Sequence, residues 1–422
     1  MRRCAAQSWR MIMFAFPDRV ATRDVEALRP YPGNARKHSR KQLRQLAASI
    51  RQFGFTVPVL VNGENMIMAG HGRVEAARLA GMSKVPVICL DHLTPEQARA
   101  YILADNRLAE LAEWDQAQLA IELQGIIDLG FDPELIGFDP AEVDRVLDTA
   151  LAGDPDASVD KDDRIPENAT IAVSRPGDIW HMGRHKLICG DALQYEVMDR
   201  LVGGESVGLL ITDPPYNVQI DGNVTGLGKH RHREFAFASG EMSRPEFTAF
   251  LATALAGAAS VMRDGAIGYV FMDWRHAMEI QQAGELIFGE LRQLCVWNKS
   301  NGGMGSFYRS KHELVFVWKK GTAPHINNFG LGGGGRYRTN VWEYPGISSR
   351  SATRDAELAM HPTVKPVKLI QDAIEDCSKR GDIILDCFGG SGTTLIAAHR
   401  CGRRARLIEY DPLYCDTIIR RF

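Results

Sequence analysis

The chain has 422 residues, 45% hydrophobic and 24% charged, a composition that supports two or three folded domains with cores of their own. A net charge of -2 excludes a uniformly basic nucleic-acid coat, and no apolar run reaches the length of a membrane span; with Met11–Phe16 too short for a signal peptide, the expected location is cytoplasmic. Eight cysteines without a Cys-x-x-Cys pair point to reduced, mostly buried thiols, so neither a disulfide framework nor a metal site is expected.

Charge is unevenly spread: residues 1–45 and 299–338 are basic and 93–150 acidic. An acidic helical zone is usually a solvated face. The second basic zone lies close to Phe307, Tyr308, Tyr337 and Trp342, a combination that can follow a phosphate backbone and stack on bases.

Residues 1–24 show no clear period, and Met11 or Met13 is as good a start as Met1. Ser39 and Gln42 form a capping-box pattern ahead of Leu43, Leu46, Ala47, Ile50 and Phe53 at helical spacing, and Gly54 closes that helix. Val57–Val61 and Met66–Ala69 flank Asn62-Gly63 and predict a hairpin. Gly70-His71-Gly72-Arg73 then leads into a helix over Val74–Leu79. Backbone N–H groups there, assisted by Arg73, suit a phosphate; a plain strand-to-helix turn fits the same residues.

Together with Asn34-Ala35-Arg36, Phe53–Val61, Ala69–Arg78 and Ala104-Asp105-Asn106-Arg107, this stretch resembles the ParB N-terminal domain over residues 25–115. The resemblance implies a small α+β domain of the ParB/sulfiredoxin type with a nucleotide or DNA contact near Arg73. It does not carry sulfiredoxin chemistry, because no cysteine lies between Gly70 and Arg73. Nor does it carry nucleotide hydrolysis, because Val74 stands where hydrolysing members have a second arginine.

Thr94–Ala150 is rich in Leu, Ala, Glu and Asp at helical spacing and is broken at Phe131-Asp132-Pro133 and Phe138-Asp139-Pro140, which predicts several short helices and a helical connector over 116–150. The Asp-rich stretch 151–174 has the composition of a linker. Ile179–Met182 and Lys186–Cys189 predict a second hairpin, followed by Asp191, which fits either a site or a turn.

Val207, Leu209, Leu210 and Ile211 make a buried strand that ends in Asp213-Pro214-Pro215-Tyr216. Two prolines cannot continue a ladder and leave nearby carbonyls as rigid acceptors, so a carboxylate, carbonyls and an aromatic face suit a planar amino-bearing ligand. The same residues also serve as an ordinary strand end. The polar loop Asn217–Ser243 holds Lys229, His230, Arg231, His232 and Arg233, which reads as a phosphate contact rather than a metal site. Next come a helix over Arg244–Met262, a strand over Ala266–Met272 and an antiparallel pair, Leu291–Asn298 with Glu313–Trp318. Gly332–Gly335 reads as a loop tip.

The last segment is a βαβ unit: strand Ile383–Phe388, turn Gly389-Gly390-Ser391-Gly392-Thr393-Thr394, helix Leu395–Arg400 and strand Ala405–Ile408. Glu409 closes the second strand at a spacing that suits a ribose diol, and the turn lacks the lysine of a phosphate-binding loop. An adenosine-type ligand without phosphate is S-adenosyl-L-methionine.

Residues 175–422 resemble an amino-group DNA methyltransferase of the β class, with a class I, Rossmann-like α/β sheet. Asp213, Pro214, Pro215 and Tyr216 match its catalytic motif; Asp386-Cys387-Phe388-Gly389-Gly390-Ser391-Gly392-Thr393 matches its methionine-binding turn, and His361-Pro362-Thr363-Val364-Lys365-Pro366 the segment before it. The resemblance implies cofactor contacts from Asp191, Lys365, Asp386, Phe388, Gly389, Gly390, Gly392, Thr393 and Glu409. It also implies a target-recognition insert over 319–360, and double-stranded DNA contacts from Lys229, Arg231, Arg233, Lys299, Arg309, Lys311, Arg336 and Arg338. The class commonly dimerises and often belongs to restriction-modification systems, and its location would be the nucleoid. The expected product is N6-methyladenine. N4-cytosine methylation is the alternative, although that class usually has Ser where Asp213 stands; a ParB-like binding protein with an inactive transferase half is the other. C5-cytosine chemistry is excluded, since no cysteine here follows a proline.

Overall fold

The computed structural model describes residues 19–151, 161–163, 165–166, 171–217, 240–299, 308–329, 337–346 and 364–422, and the chain divides into two compact units after Asp139. In the first unit, β1 (Ala21–Asp24) precedes α1 (Arg40–Phe53). The Ser39 side chain accepts a hydrogen bond from the Gln42 N–H at the start of α1, and Gly54 closes the helix at φ 81°, a left-handed value that favours glycine. β2 (Val59–Val61) and β3 (Ile67–Ala69) pair antiparallel. Their connection is longer than a two-residue turn because the Asn62 side-chain oxygen Oδ1 accepts from the N–H groups of both Glu64 and Met66, drawing 62–66 into a wider loop.

α2 (His71–Leu79) starts three residues earlier than expected, with Gly70 at φ 99° as its cap. β4 (Lys84–Cys89) completes a sheet of order β1-β4-β2-β3, over which Val25, Val59, Ile67, Val74 and Val87 form the core. α3 (Pro95–Ala109), with a full Thr94/Gln97 capping box, and α4 (Gln116–Asp128) follow, and a short 3-10 helix over Pro133–Ile136 ends the unit's helices. His71 is a structural acceptor, its Nε2 receiving the Tyr31 N–H at 3.2 Å, and the half-buried Arg73 folds back over Gly70 and faces Asp105.

The second unit opens with α5 (Pro140–Leu151), a helix expected within the connector. Its elements are β5 (Ile179–Met182), β6 (His185–Cys189), α6 (Tyr195–Val202), β7 (Val207–Thr212), α7 (Arg244–Val261), β8 (Met262–Met272), α8 (Ala277–Phe288), β9 (Leu291–Asn298), β10 (His312–Lys319), β11 (Val341–Glu343), α9 (Val367–Cys377), β12 (Ile383–Asp386), α10 (Thr393–Arg400), β13 (Arg404–Glu409) and α11 (Pro412–Arg421). They build one nine-stranded sheet of order β11-β9-β10-β8-β7-β12-β13-β6-β5, parallel from β8 through β6. Side chains alternate between its two faces. Leu209, Ile211, Ile384 and Leu407 face α9 and α10, whereas Leu210, Leu385 and Ile408 face α6, α7 and α8. Helices on both faces explain why the central strands are apolar throughout.

A buried ion pair fixes α5 to this sheet. Arg403 and Asp144 are both about fully buried, and the guanidinium donates from Nη1 and Nη2 to the two carboxylate oxygens at 2.7 and 2.8 Å. Arg380 donates to the same carboxylate at 3.1 Å. Removing one partner of such a pair leaves a charge without compensation, so Asp144→Ala should cost about 3–5 kcal/mol in urea unfolding of the whole chain; a loss below about 1 kcal/mol would contradict this role.

Candidate active site

β7 is buried along its whole length and delivers Asp213 to its carboxyl end, where Pro214 and Pro215 stop the ladder. Its neighbour β12 ends at Asp386, so the loops after these parallel strands open on the same edge, where such sheets bind ligands. The Thr212 hydroxyl joins the two loops: it donates to Asp386 Oδ1 at 3.0 Å and accepts from the Cys387 N–H at 3.2 Å. Asp386 also accepts from the Phe388 N–H and, at 2.6 Å, from the Thr394 hydroxyl.

The turn after β12 is shaped by glycine. Gly390 and Gly392 have φ of 53° and 83°, and a Cβ on Gly392 would stand 3.0 Å from the Ile418 side chain. At the end of β13, Glu409 accepts the Gly390 N–H at 2.8 Å on Oε2 and the Asp411 N–H at 2.9 Å on Oε1, and each oxygen keeps a lone pair for a hydroxyl. Asp191 terminates β6 as a turn residue, its carboxylate accepting the Leu193 N–H at 2.9 Å. Phe388 lies partly buried beside Phe250, and the Thr393 hydroxyl accepts from Arg421 at 3.1 Å. The predicted cofactor residues of three strand ends are therefore gathered on one sheet edge, with no lysine in the glycine turn to hold a polyphosphate.

Lys365 departs from that expectation. Its Nζ lies 2.5 Å from Asp213 Oδ2, 3.1 Å from Glu313 Oε2 and 3.3 Å from the Tyr216 hydroxyl, so its donors are directed to Asp213, Tyr216 and Glu313 and not to the glycine turn. The Tyr216 hydroxyl donates to Asp213 Oδ1 at 2.6 Å. Glu313, on β10, was not singled out in the sequence; the one available signal is that it is the sole acid between 299 and 338 and sits at the head of an apolar strand.

Three expected nucleic-acid contacts are also corrected. Lys299 pairs with Glu313 and lies 4.7 Å over the Trp297 ring. Arg338 is drawn inward to Asp376 at 2.8 Å and to the Tyr344 hydroxyl, and its guanidinium lies 5.2 Å over Trp342. Trp342 is itself buried, edge-on to Tyr269, and has no free face for a base. Lys311, Tyr308 and Tyr337 are exposed, as is Arg309. Phe307, Lys229, Arg231, Arg233 and Arg336 lie outside the described residues, as do the glycine run 332–335 and much of the 319–360 insert and the 217–243 loop.

Burial pushes the carboxyls of Asp386 and Glu409 up to about 7, against the hydrogen bonds they accept. An acid raised on folding binds more protons folded than unfolded, so its contribution to stability is full below its ordinary range near about 4 and lost as pH rises toward 7. Asp386→Asn, which keeps the acceptor for Thr212 and Phe388, should flatten the decline in melting temperature across that window; a decline as steep as wild type would contradict the assignment.

Similarity to known proteins accords with this geometry. Residues 16–106 match the ParB N-terminal domain model, residues 117–176 a ParB-methyltransferase HTH domain model and residues 207–420 a DNA methylase model for N6 and N4 amino groups. The ParB-like nuclease domain-containing protein YnaK of Escherichia coli is 51% identical over 79 residues, 19% of this chain and 91% of YnaK. The type II methyltransferase M.HinfI of Haemophilus influenzae is 24% identical over 240 residues, 53% of this chain and 64% of that protein. The solved PvuII DNA methyltransferase (cytosine-N4-specific) aligns over 60% of this chain and 90% of its own, at 17% identity and a TM-score of 0.45. With the methylase match spanning half of the chain and the whole β7-to-β13 edge, the protein belongs to the N6/N4 family of DNA methyltransferases, joined here to a ParB N-terminal domain.

Proposed function

We propose that the protein transfers a methyl group from S-adenosyl-L-methionine to the N6 amino group of adenine in double-stranded DNA. The observation that carries this reading is a carboxylate, Asp213, held at the end of β7 beside the glycine turn of β12. The cofactor supplies an electrophilic methyl group on a sulfonium sulfur. Gly389 and Gly392 let the turn pack closely on Leu407, Ile408 and Ile418; the cofactor's methionine part is assigned to this turn, Gly390 included, near Asp386, and Glu409 and Asp191 stand at the strand ends that would receive its adenosine.

The N6 lone pair of adenine is delocalised into the ring, and attack requires the nitrogen to become more tetrahedral. Asp213 accepts one amino hydrogen and the rigid Pro214 carbonyl accepts the other, while Pro215 fixes the turn and the Tyr216 ring stacks on a base swung out of the duplex. A carboxylate is a stronger acceptor than the serine hydroxyl usual in the N4-cytosine class, which favours adenine. The exposed Arg309 and Lys311 are assigned to the DNA backbone with Lys229, Arg231, Arg233 and Arg336, and the ParB-like and HTH-matching residues are assigned to holding the duplex.

Purified protein, duplex DNA and methyl-labelled donor should yield N6-methyladenine on nucleoside analysis, and Asp213→Ala should abolish it. N4-methylcytosine as the product would move the reading to cytosine, and unlabelled DNA would overturn it.

A further inference from the structure

Within the second unit, the side chains around Asp213 form a charge cluster larger than acceptor chemistry alone requires. All three donors of the Lys365 ammonium have acceptors: Asp213 Oδ2 at 2.5 Å, Glu313 Oε2 at 3.1 Å and the Tyr216 hydroxyl at 3.3 Å. Around it stand the rings of Phe271, Trp297 and Tyr216, with Nζ 5.0, 5.8 and 5.7 Å from their centroids. Lys365 and Glu313 side chains are 6% and 9% exposed, so water screens this cluster little. Lys299 supplies a second cation to Glu313 from a more exposed position.

We propose that Lys365 and Glu313 are positioning residues for Asp213. Lys365 fixes the orientation of the carboxylate and keeps it ionised; Glu313 holds the ammonium and restores the negative field that a lone lysine would cancel.

The inference rests on the reading that Asp213 accepts a hydrogen from the target amino group. Protonated Asp213 would offer a donor where an acceptor is needed. Burial, and to a smaller extent Glu313, raise its affinity for a proton, whereas Lys365 opposes both. Tyr216 and Asp386 are the other titratable groups that face it. As the nitrogen attacks, it gains positive charge. A lysine alone beside the acceptor would oppose that charge. Glu313 offsets the Lys365 ammonium, and the more exposed Lys299 balances Asp213, so the cluster presents no net positive charge against the attacking nitrogen while the Asp213 carboxylate stands nearest to it.

This arrangement makes opposite predictions for the two side chains, which a merely structural salt bridge does not. The readout is the acidic limb of kcat against pH, at saturating DNA and donor and counting methyl transfer to any base. Lys365→Met should lower kcat and move the limb to higher pH by about one unit or more, the scale of an opposite charge removed at contact distance. Glu313→Gln should move it to lower pH. Equilibrium affinity for S-adenosyl-L-methionine should be unchanged in both variants, because neither side chain is assigned to that pocket.

Limbs that stay in place, limbs that move together, or donor affinity that falls in step with kcat would overturn the proposal. If Lys365→Met melts below the assay temperature or shows no turnover, Glu313→Gln decides: a downward shift supports the proposal, and an unshifted or upward limb overturns it. Wild-type protein that transfers no methyl group would defeat the underlying reading and the proposal with it; active wild type with unshifted variants would defeat the proposal alone.

Discussion

The adjacency of β7 and β12 is the constraint on which the rest of the site depends. Because the two strands run parallel side by side, the loop that carries Asp213 and the loop that carries the glycine turn leave the sheet on the same edge. Thr212 converts that adjacency into a fixed relation, since one hydroxyl both donates to Asp386 and accepts from Cys387. The apolar stripes on the two faces of the sheet hold the strands in register, and helices pack on both faces, so the strand ends are where a ligand meets the sheet. Pro214 and Pro215 then keep Asp213 from being drawn into a further ladder.

Two kinds of buried carboxylate result. Asp386 and Glu409 are surrounded by hydroxyl and backbone donors, with no cation as hydrogen-bond partner among the described residues, and burial raises them to about 7. Burial acts on Glu313 in the same direction, but Lys365 and Lys299 outweigh it and pull the group down to about 2. In the proposed reaction the two families of acid have different tasks: the first shapes a pocket for a polar cofactor, and the second holds fixed charge beside the target base. Asp213 stands between them, partly buried and, like the second, paired with a cation.

Local signals in the sequence were sufficient for most elements. The Ser39/Gln42 cap, the βαβ unit and the two antiparallel pairs each involve residues near in the chain, and the structure forms them within a few residues of the expected limits. Long-range partners were not legible. Lys365 and Asp213 are 152 residues apart, and a lysine beside a cofactor motif gives no hint that its charge is spent on another loop. Arg338 and Trp342 show the same difficulty from the opposite side: a basic residue near an aromatic one fits a nucleic-acid surface and an interior cation–π contact equally well, and burial decides for the second. The division after Asp139 was also hidden, because the contact that holds α5, Asp144 with Arg403, spans 259 residues.

In the proposed reaction a base is presented to Asp213 by its exocyclic amino group. A structure of the protein with duplex DNA and a non-transferring analogue of the methyl donor tests it most directly. An adenine should lie out of the stack, with N6 within hydrogen-bond reach of Asp213 and the Pro214 carbonyl and its ring against Tyr216. A cytosine in that place, or a base whose amino group points away from Asp213, would contradict it.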